Sequence, residues 1–364
     1  MRSNNFITKM ENKGLLFIPD ISGFTRFVTE TEIEHSRLII QELLEILINA
    51  NSIGLEVSEI EGDAILFYKY GDPPPIENIY RQVEQMFCAF HRNLFSYDAT
   101  RYCQCKACTR AVDLTLKVIT HYGEFTGYSV QQFHKLIGKD IIIAHQLLKN
   151  DISEHEYWLV TKNLVRDGTP SGITEWMQWN SSAKQTETGE VPFHFTQLGP
   201  LKTNIASEPM APPDLSKKQK VISLSHEYET GLITLFHATG DFNHRSGWME
   251  GVKKVEEVNH YLPRVGMKCK KITDDGNEII YSSSYYYTDE QIEFSETEEN
   301  SGNITYFTLR TLPGNKTALN ISYYTNNKFP DRLLFRIFHK KEMENKLSVS
   351  MKKLEGYIKT MSIL

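Results

Sequence analysis

The chain has 364 residues, of which 40% are hydrophobic and 24% charged, and it carries a formal net charge of -6. That length calls for two domains of roughly 150 to 200 residues, and the composition excludes a disordered or fibrous protein. Charges of mixed sign with a small acidic excess exclude a basic face for tracking phosphates, so small molecules are expected as partners and nucleic acid is not.

Residues 1–13 read as a polar tail, without the apolar stretch or the small-residue cleavage site of a secretory signal. Leu15 to Pro19 is a short apolar strand that runs into Asp20-Ile-Ser-Gly-Phe-Thr25 and then into a helix carrying Ile33, Leu38, Ile40, Leu43, Leu44 and Leu47 near helical spacing. Leu55 to Tyr70 supplies two β-rich stretches joined at Glu61-Gly62-Asp63, which is hairpin chemistry and puts Asp63 at the tip. Pro73, Pro74 and Pro75 open a helix through about Leu94. A strand follows at Leu114 to His121, then a hairpin punctuated by Gly123 and Gly127, a helix from about Lys139 to Leu148 and a strand at Tyr157 to Val160. The order βααββαββαβ predicts an α+β sheet with helices on one side, and not a doubly wound parallel sheet.

From Gly199 to Lys218 the sequence turns to Pro, Ser and Lys, so the expected division is a first domain over 14–202, a linker over 203–217 and a second domain over 218–364. The second half has a strand at Val221 to Tyr228 and two short helical stretches to about Val258. Strands follow, separated by Asp274-Asp275-Gly276-Asn277, Asn300-Ser301-Gly302-Asn303 and Pro313-Gly314-Asn315. Arg332 to Met361 closes the chain with an amphipathic helix, whose apolar stripe needs a curved antiparallel sheet to cover. No apolar run reaches the ~18 to 20 residues of a membrane helix, so no membrane span and a cytoplasmic location are expected.

Phosphoryl chemistry on a nucleoside triphosphate needs cations, and two-metal sites bridge ions ~3.5 to 4 Å apart with carboxylates. Asp20 ends a strand just before a helix start, where backbone N–H groups favour phosphate oxygens, and Asp63 ends another. A helix cap at Asp20 and a turn residue at Asp63 are the plain alternatives. Leu15-Leu-Phe-Ile-Pro-Asp20-Ile-Ser-Gly-Phe-Thr25, the helix, Glu59-Ile-Glu-Gly-Asp63-Ala-Ile-Leu-Phe-Tyr68 and His121-Tyr-Gly-Glu124 resemble three ordered signatures of the class III adenylate and guanylate cyclase catalytic domain. The resemblance covers about Gly14 to Lys202 and implies a ferredoxin-like nucleotidyl-cyclase fold working as a homodimer. It implies Mg2+ or Mn2+ on Asp20 and Asp63, with the triphosphate on Ile21, Ser22, Gly23, Phe24 and Thr25.

Base reading would fall on Glu59 and Lys135. A carboxylate at Glu59 accepts from guanine N1 and N2 and mildly favours GTP; the alternative is an ion pair between Glu59 and Lys135 that leaves no base reader. The segment Ile137-Gly138-Lys139-Asp140-Ile-Ile142-Ile-Ala-His-Gln146 resembles the family helix whose Asn orients the ribose and whose Arg stabilises transition-state charge. Here Ile142 and Gln146 occupy those positions, and loss of such a clamp typically costs on the order of 10²-fold or more in rate. Lys139 and Lys149, a turn away, are the substitutes at hand. No catalytic residue is therefore assigned. The expectation is a cyclase-like protein that binds a purine nucleoside triphosphate with divalent metal and turns over weakly or not at all. The alternative is an active cyclase making a 3′,5′-cyclic nucleotide.

Cys103, Cys105 and Cys108 crowd one loop, and Cys88 with His91 shares a helix face. Tetrahedral zinc takes four N or S donors, so Cys88 is the expected fourth ligand of a structural Zn2+, against unligated thiols. The element order of the second half resembles the helix-grip fold of START-like, Bet v 1-like and polyketide-cyclase-type (SRPBCC) domains. That likeness implies a cavity for an apolar small molecule or lipid, with Trp248, Tyr285, Tyr287, Phe294, Phe307 and Tyr323 as candidate lining and ordinary core packing as the alternative. His237, His244 and His260 show no triad or metal spacing. The two-part layout resembles a bacterial family of unknown function.

Overall fold

The computed structural model describes residues 12–103, 105–165, 170, 173–205, 213–258, 262, 264–274, 276–326 and 339–361. The chain divides into two units, Met1–Asp98 with Cys105–Ser207, and Ala99–Gln104 with Glu208–Leu364. Both are α+β. Most of the expected polar tail, residues 206–212 of the expected linker, His260 and residues 332–338 of the expected last helix lie outside the described residues.

In the first unit, β1 (Lys13–Ser22) is buried at every position after the first. A strand apolar on both faces has to be central, and β1 pairs antiparallel with β3 (Ala64–Tyr70) on one side and β4 (Thr115–Glu124) on the other. The sheet runs β2-β3-β1-β4-β7-β9-β8, with β2 at Glu56–Glu61, β7 at Tyr157–Thr161, β8 at Asn180–Thr186 and β9 at Gly189–Gln197. Among the described strand pairs of this sheet only β4 and β7 are parallel, as expected for a sheet that is not doubly wound. The separate hairpin β5 (Thr126–Val130) and β6 (Phe133–Ile137) follows β4.

Helices α1 (Phe24–Glu30) and α2 (Ile33–Asn49) follow β1, and α3 (Ile76–Thr100) runs beyond the expected Leu94. Leu16, Ile18 and Leu66 pack with Ile141, Ala144 and Leu147 of α5 (Lys139–Leu148) on one face. On the other face Tyr80 of α3 meets Trp158, with ring centroids 6.1 Å apart. Helices on both faces correct the one-sided arrangement expected from sequence. The reason is the apolar character of both faces of the central strands, each of which needs a covering layer. Two further elements escaped the sequence. The cysteine loop forms a short helix, α4 (Lys106–Arg110), and β8 and β9 add a hairpin beside β7. Edge strand β8 is almost wholly exposed and is held by its backbone ladder, so it shows no hydrophobic pattern.

His91 of α3 has 1% of its side chain exposed and lies 3.4 Å from a Glu156 carboxylate oxygen. Burial, then the charge of Lys202, pushes its pKa down to about 3. A depressed folded-state pKa gives stability that is complete above the unfolded value near 6.5 and is lost as pH falls toward 3. Urea unfolding across that window should show this unit weakening by at most about 1.4 kcal/mol per pH unit. His91→Leu should flatten it, and an unchanged slope would show that His91 is not the group responsible.

In the second unit β10 (Lys218–Tyr228) leads into α6 (Leu232–Gly240) and α7 (Arg245–Trp248), followed by β11 (Val252–Glu257), β12 (Lys268–Thr273), β13 (Gly276–Tyr287), β14 (Gln291–Glu298), β15 (Ile304–Leu312) and β16 (Lys316–Asn326), and finally α8 (Lys340–Thr360). They form one antiparallel sheet, ordered β10-β16-β15-β14-β13-β12-β11. The helical reading to Val258 fails at β11, a strand whose Lys and Glu side chains suit a sheet edge. Leu347, Met351 and Leu354 of α8 join Phe236, Phe294, Leu319 and Ile321 in one apolar core.

The six aromatics proposed to line a pocket divide by environment. Trp248, Phe294 and Phe307 are core: Trp248 donates its indole N–H to the Ala238 carbonyl at 2.8 Å, and the two Phe rings stack 4.4 Å apart. Tyr285 is half-buried and donates to the Tyr102 carbonyl at 3.2 Å, while Tyr287 is exposed. Only Tyr323 among them lines a cavity of about 340 Å³ between sheet and α8, and this cavity also presents Glu250, Glu278, Glu296, Glu298, Lys271 and Lys346. That lining is mixed apolar and charged. Arg245, fully buried and hydrogen-bonded to Glu296, lies under 6 Å from the rings of Phe242, Trp248 and Phe307.

Candidate functional site

Asp20 sits near the end of β1 and Asp63 in the turn between β2 and β3. The β1–β3 ladder places Asp20 opposite Ala64, and the Ile21 N–H donates to the Asp63 carbonyl at 3.1 Å, so the two aspartates are neighbours across adjacent strands. Gly62 makes the tight turn possible with φ of 60°, a left-handed conformation that suits glycine. Gly23, with φ of 89°, turns the chain from β1 into α1. That leaves the first N–H groups of α1 without helical partners at the mouth of the site.

Asp20 is only 8% exposed. Burial raises its pKa, while Lys117, directly opposite on β4 with its Nζ 3.1 Å from Asp20 Oδ1, and His155 pull it back. The Asp63 pKa is pushed up to about 6, first by burial and then by the negative charge of Asp20. Two carboxylates share partly dry surroundings with one lysine close to them, so the charge on Asp20 disfavours ionisation of Asp63 while Lys117 favours it.

Both aspartates open into a cleft of about 720 Å³ that is also lined by Ile21, Ser22, Gly23, Phe24 and Thr25. The five residues expected to cradle phosphates are thus brought to the carboxylates. The cleft wall adds Arg26, Lys117, His145, Lys149 and His155, a basic set the sequence reading had not assembled. Lys117 carried one available signal, a lysine inside an apolar strand, where charge is rarely buried without a partner. Ile142 and Gln146 line the same cleft, and Lys149 does so while Lys139 does not. Two buried polar atoms there, Ser22 Oγ and Gln146 Oε1, have no hydrogen-bond partner among the described residues.

Glu59 and Lys135 are ion-paired to each other and are not part of the cleft lining. Of the two alternatives open at Glu59, the ion pair is the one present. Asp140 accepts from His121 Nε2 at 2.8 Å and from the Glu124 N–H at 2.7 Å. Against the effect of burial, these bonds hold its carboxyl below the usual range and fix the start of α5 beside β4.

The cysteine reading needs one correction. The residue that meets Cys105 and Cys108 is His35 of α2, whose Nδ1 lies 3.3 Å from each sulfur. Cys88 is not in that cluster; burial, and then Glu84, raises its thiol pKa on α3. The contact spans 70 and 73 residues of sequence, a separation that no local spacing rule reaches. No described helix is long and apolar enough to cross a membrane.

Residues 40–157 match a family described as a protein of unknown function (DUF2652). The uncharacterized protein Rv2561/Rv2562 of Mycobacterium tuberculosis (strain ATCC 25618 / H37Rv) is 30% identical over 128 residues, 33% of this chain and 56% of that protein. The chain therefore spans about half the length of this curated relative. Among solved structures, the catalytic core of a rhodopsin-guanylyl cyclase with converted specificity, in complex with ATPalphaS, aligns with 15% identity and a TM-score of 0.38, over 51% of this chain and 96% of that one. A START superfamily protein from Mycobacterium smegmatis aligns with 17% identity and a TM-score of 0.31, over 40% of this chain and 100% of its own. The structural neighbours of this chain include nucleotidyl cyclase catalytic domains and a START superfamily protein.

Proposed function

We propose that the first unit is a nucleotidyl-cyclase-like domain that binds a nucleoside triphosphate with Mg2+ or Mn2+ and turns it over weakly or not at all. The observation that carries this reading is the convergence of Asp20 and Asp63 in one cleft, beside the unpartnered Ser22 hydroxyl and the start of α1. The donor set fits a hard divalent cation, which takes oxygen ligands, and the raised Asp63 pKa is the strain such an ion relieves. Bound there, the metal would neutralise phosphate charge. The chain's own groups do the rest: the 21–25 turn orients the phosphates and the basic wall formed by Arg26, Lys117 and Lys149 draws the anion in.

Weak turnover follows from Ile142 and Gln146, which offer the cleft a hydrocarbon and a neutral amide where transition-state charge would need a cation. Lys149 supports the alternative reading of an active cyclase, because its ammonium lies on the cleft wall. Incubation with Mn2+ and each of the four nucleoside triphosphates separates them. A 3′,5′-cyclic product that disappears in Asp63→Ala would sink the weak-turnover reading; metal-dependent binding without product supports it.

A homodimer belongs to this reading, since the family resembled builds its site between two chains. An apolar groove of about 520 Å³ along α1, α2 and β2, lined by Val28, Ile33, Ile40, Leu44 and Ile60, offers a seat for a second copy. Ile33 is 70% exposed and Ile60 49%, and Ile33→Glu with Ile60→Glu should give a monomer in light scattering. We further propose that the second unit takes a small molecule in the cavity beside α8, whose wall offers both apolar and charged groups, and that its occupancy biases triphosphate binding. Adding back a ligand extracted from the purified protein should shift triphosphate affinity, and no shift would break that link.

A further inference from the structure

We propose that His35, Cys105 and Cys108, with Cys103 as the fourth donor, hold a structural zinc ion in a site separate from the aspartate cleft. His35 Nδ1 lies 3.3 Å from both the Cys105 and the Cys108 sulfur, and the three donor atoms fall within 4.8 Å of one another. A ring nitrogen has one in-plane direction, for one proton or one lone pair. Hydrogen bonding alone therefore accounts for one sulfur at that nitrogen, not for two at the same distance. A common ion accounts for both: with Zn–S near 2.3 Å and Zn–N near 2.0 to 2.1 Å, tetrahedral geometry sets N···S at ~3.6 Å and S···S at ~3.8 Å.

The sequence around the cluster is arranged for the same purpose. Cys105 caps α4 and Cys108 lies one turn on, with the Cys108 N–H directed at the Cys105 sulfur at 3.5 Å, a contact that favours a thiolate. Cys108 is fully buried and Cys103 4% exposed, so these two sulfurs are shielded from solvent, while Cys105 is half-buried. Cys103 precedes Cys105 by two residues, a backbone reach of ~7 Å, and completes a Cys3His donor set of the closed, structural type. Glu32 accepts the Ala107 N–H at 3.0 Å and Arg110 pairs with Glu30 at 2.6 Å, so α4 is already fastened to the chain that joins α1 to α2. The ion would lock this fastening just after the 21–25 turn. A softer, sulfur-rich site also keeps zinc apart from the oxygen donors of Asp20 and Asp63.

The test is elemental analysis of the untagged full chain purified without chelator, with Co2+ as a spectroscopic probe. The expected result is about one zinc per chain, retained in Asp63→Asn and Cys88→Ser and lost in His35→Ala and Cys105→Ser. Co2+ added to protein stripped under reducing conditions should give thiolate-to-metal charge-transfer bands with tetrahedral d–d intensity. That readout works on the wild-type chain and does not depend on whether a variant folds. Absence of zinc together with absence of the Co2+ thiolate bands would overturn the proposal. So would zinc that survives His35→Ala but leaves with Cys88→Ser.

Discussion

Asp63→Asn is expected to lower affinity for a Mn2+-triphosphate by at least about 10²-fold, because even groups that only support a metal ligand typically account for 10- to 100-fold in affinity. The same change should stabilise the unliganded protein at pH 7. Burial and the Asp20 charge hold the Asp63 pKa at about 6, above the ordinary aspartate value of 3.8. Stability owed to the protonated carboxyl is complete below 3.8 and is lost as pH rises through about 6. A shift of about two pKa units corresponds to about 3 kcal/mol, and solvent screening of this partly exposed group reduces it to roughly 1 kcal/mol. Thermal melts should therefore coincide for wild type and Asp63→Asn near pH 4 and diverge near pH 7, with the variant higher. A variant that melts lower at pH 7 would show that Asp63 is held by a contact and not strained by its neighbour.

The second large effect concerns rate. Gln146→Arg combined with Ile142→Asn should raise cyclic-nucleotide formation by on the order of 10²-fold, the usual worth of one charge-stabilising donor in such a site. Both side chains line the cleft, and Ile142 is 51% exposed, so neither change opens a core cavity. The measurement is product formation with Mn2+ and GTP or ATP, compared with the wild-type chain. If Lys149 already supplies the charge, the double variant gains little and Lys149→Ala removes wild-type activity instead.

Much of the first unit could be read from the chain because its signals are local. The Asp20 and Asp63 turns each carry a glycine that fixes the backbone, and α2, α3 and α5 show their period. Asp20 lies on β1 and Asp63 in the turn that opens β3, so the ladder that joins β1 to β3 brings them together. The rest depends on contacts between distant segments. Lys117 matters because β4 sets it opposite Asp20, and His35 because α2 passes α4. Edge strand β8 is polar, so its pairing with β9 leaves no hydrophobic trace on its own side of the hairpin. In the second unit an aromatic strand residue reads alike in a core or a cavity; Phe294 and Phe307 took the core, and charged residues took much of the cavity wall.

The most direct test of the central claim is calorimetric titration of the full chain with a non-hydrolysable GTP or ATP analogue, with and without Mn2+, in wild type and Asp63→Asn. Binding that requires Mn2+ and is lost in Asp63→Asn is the result predicted. Binding that is the same without Mn2+ or in the variant, or no binding by the wild type, would contradict a metal-triphosphate site at Asp20 and Asp63.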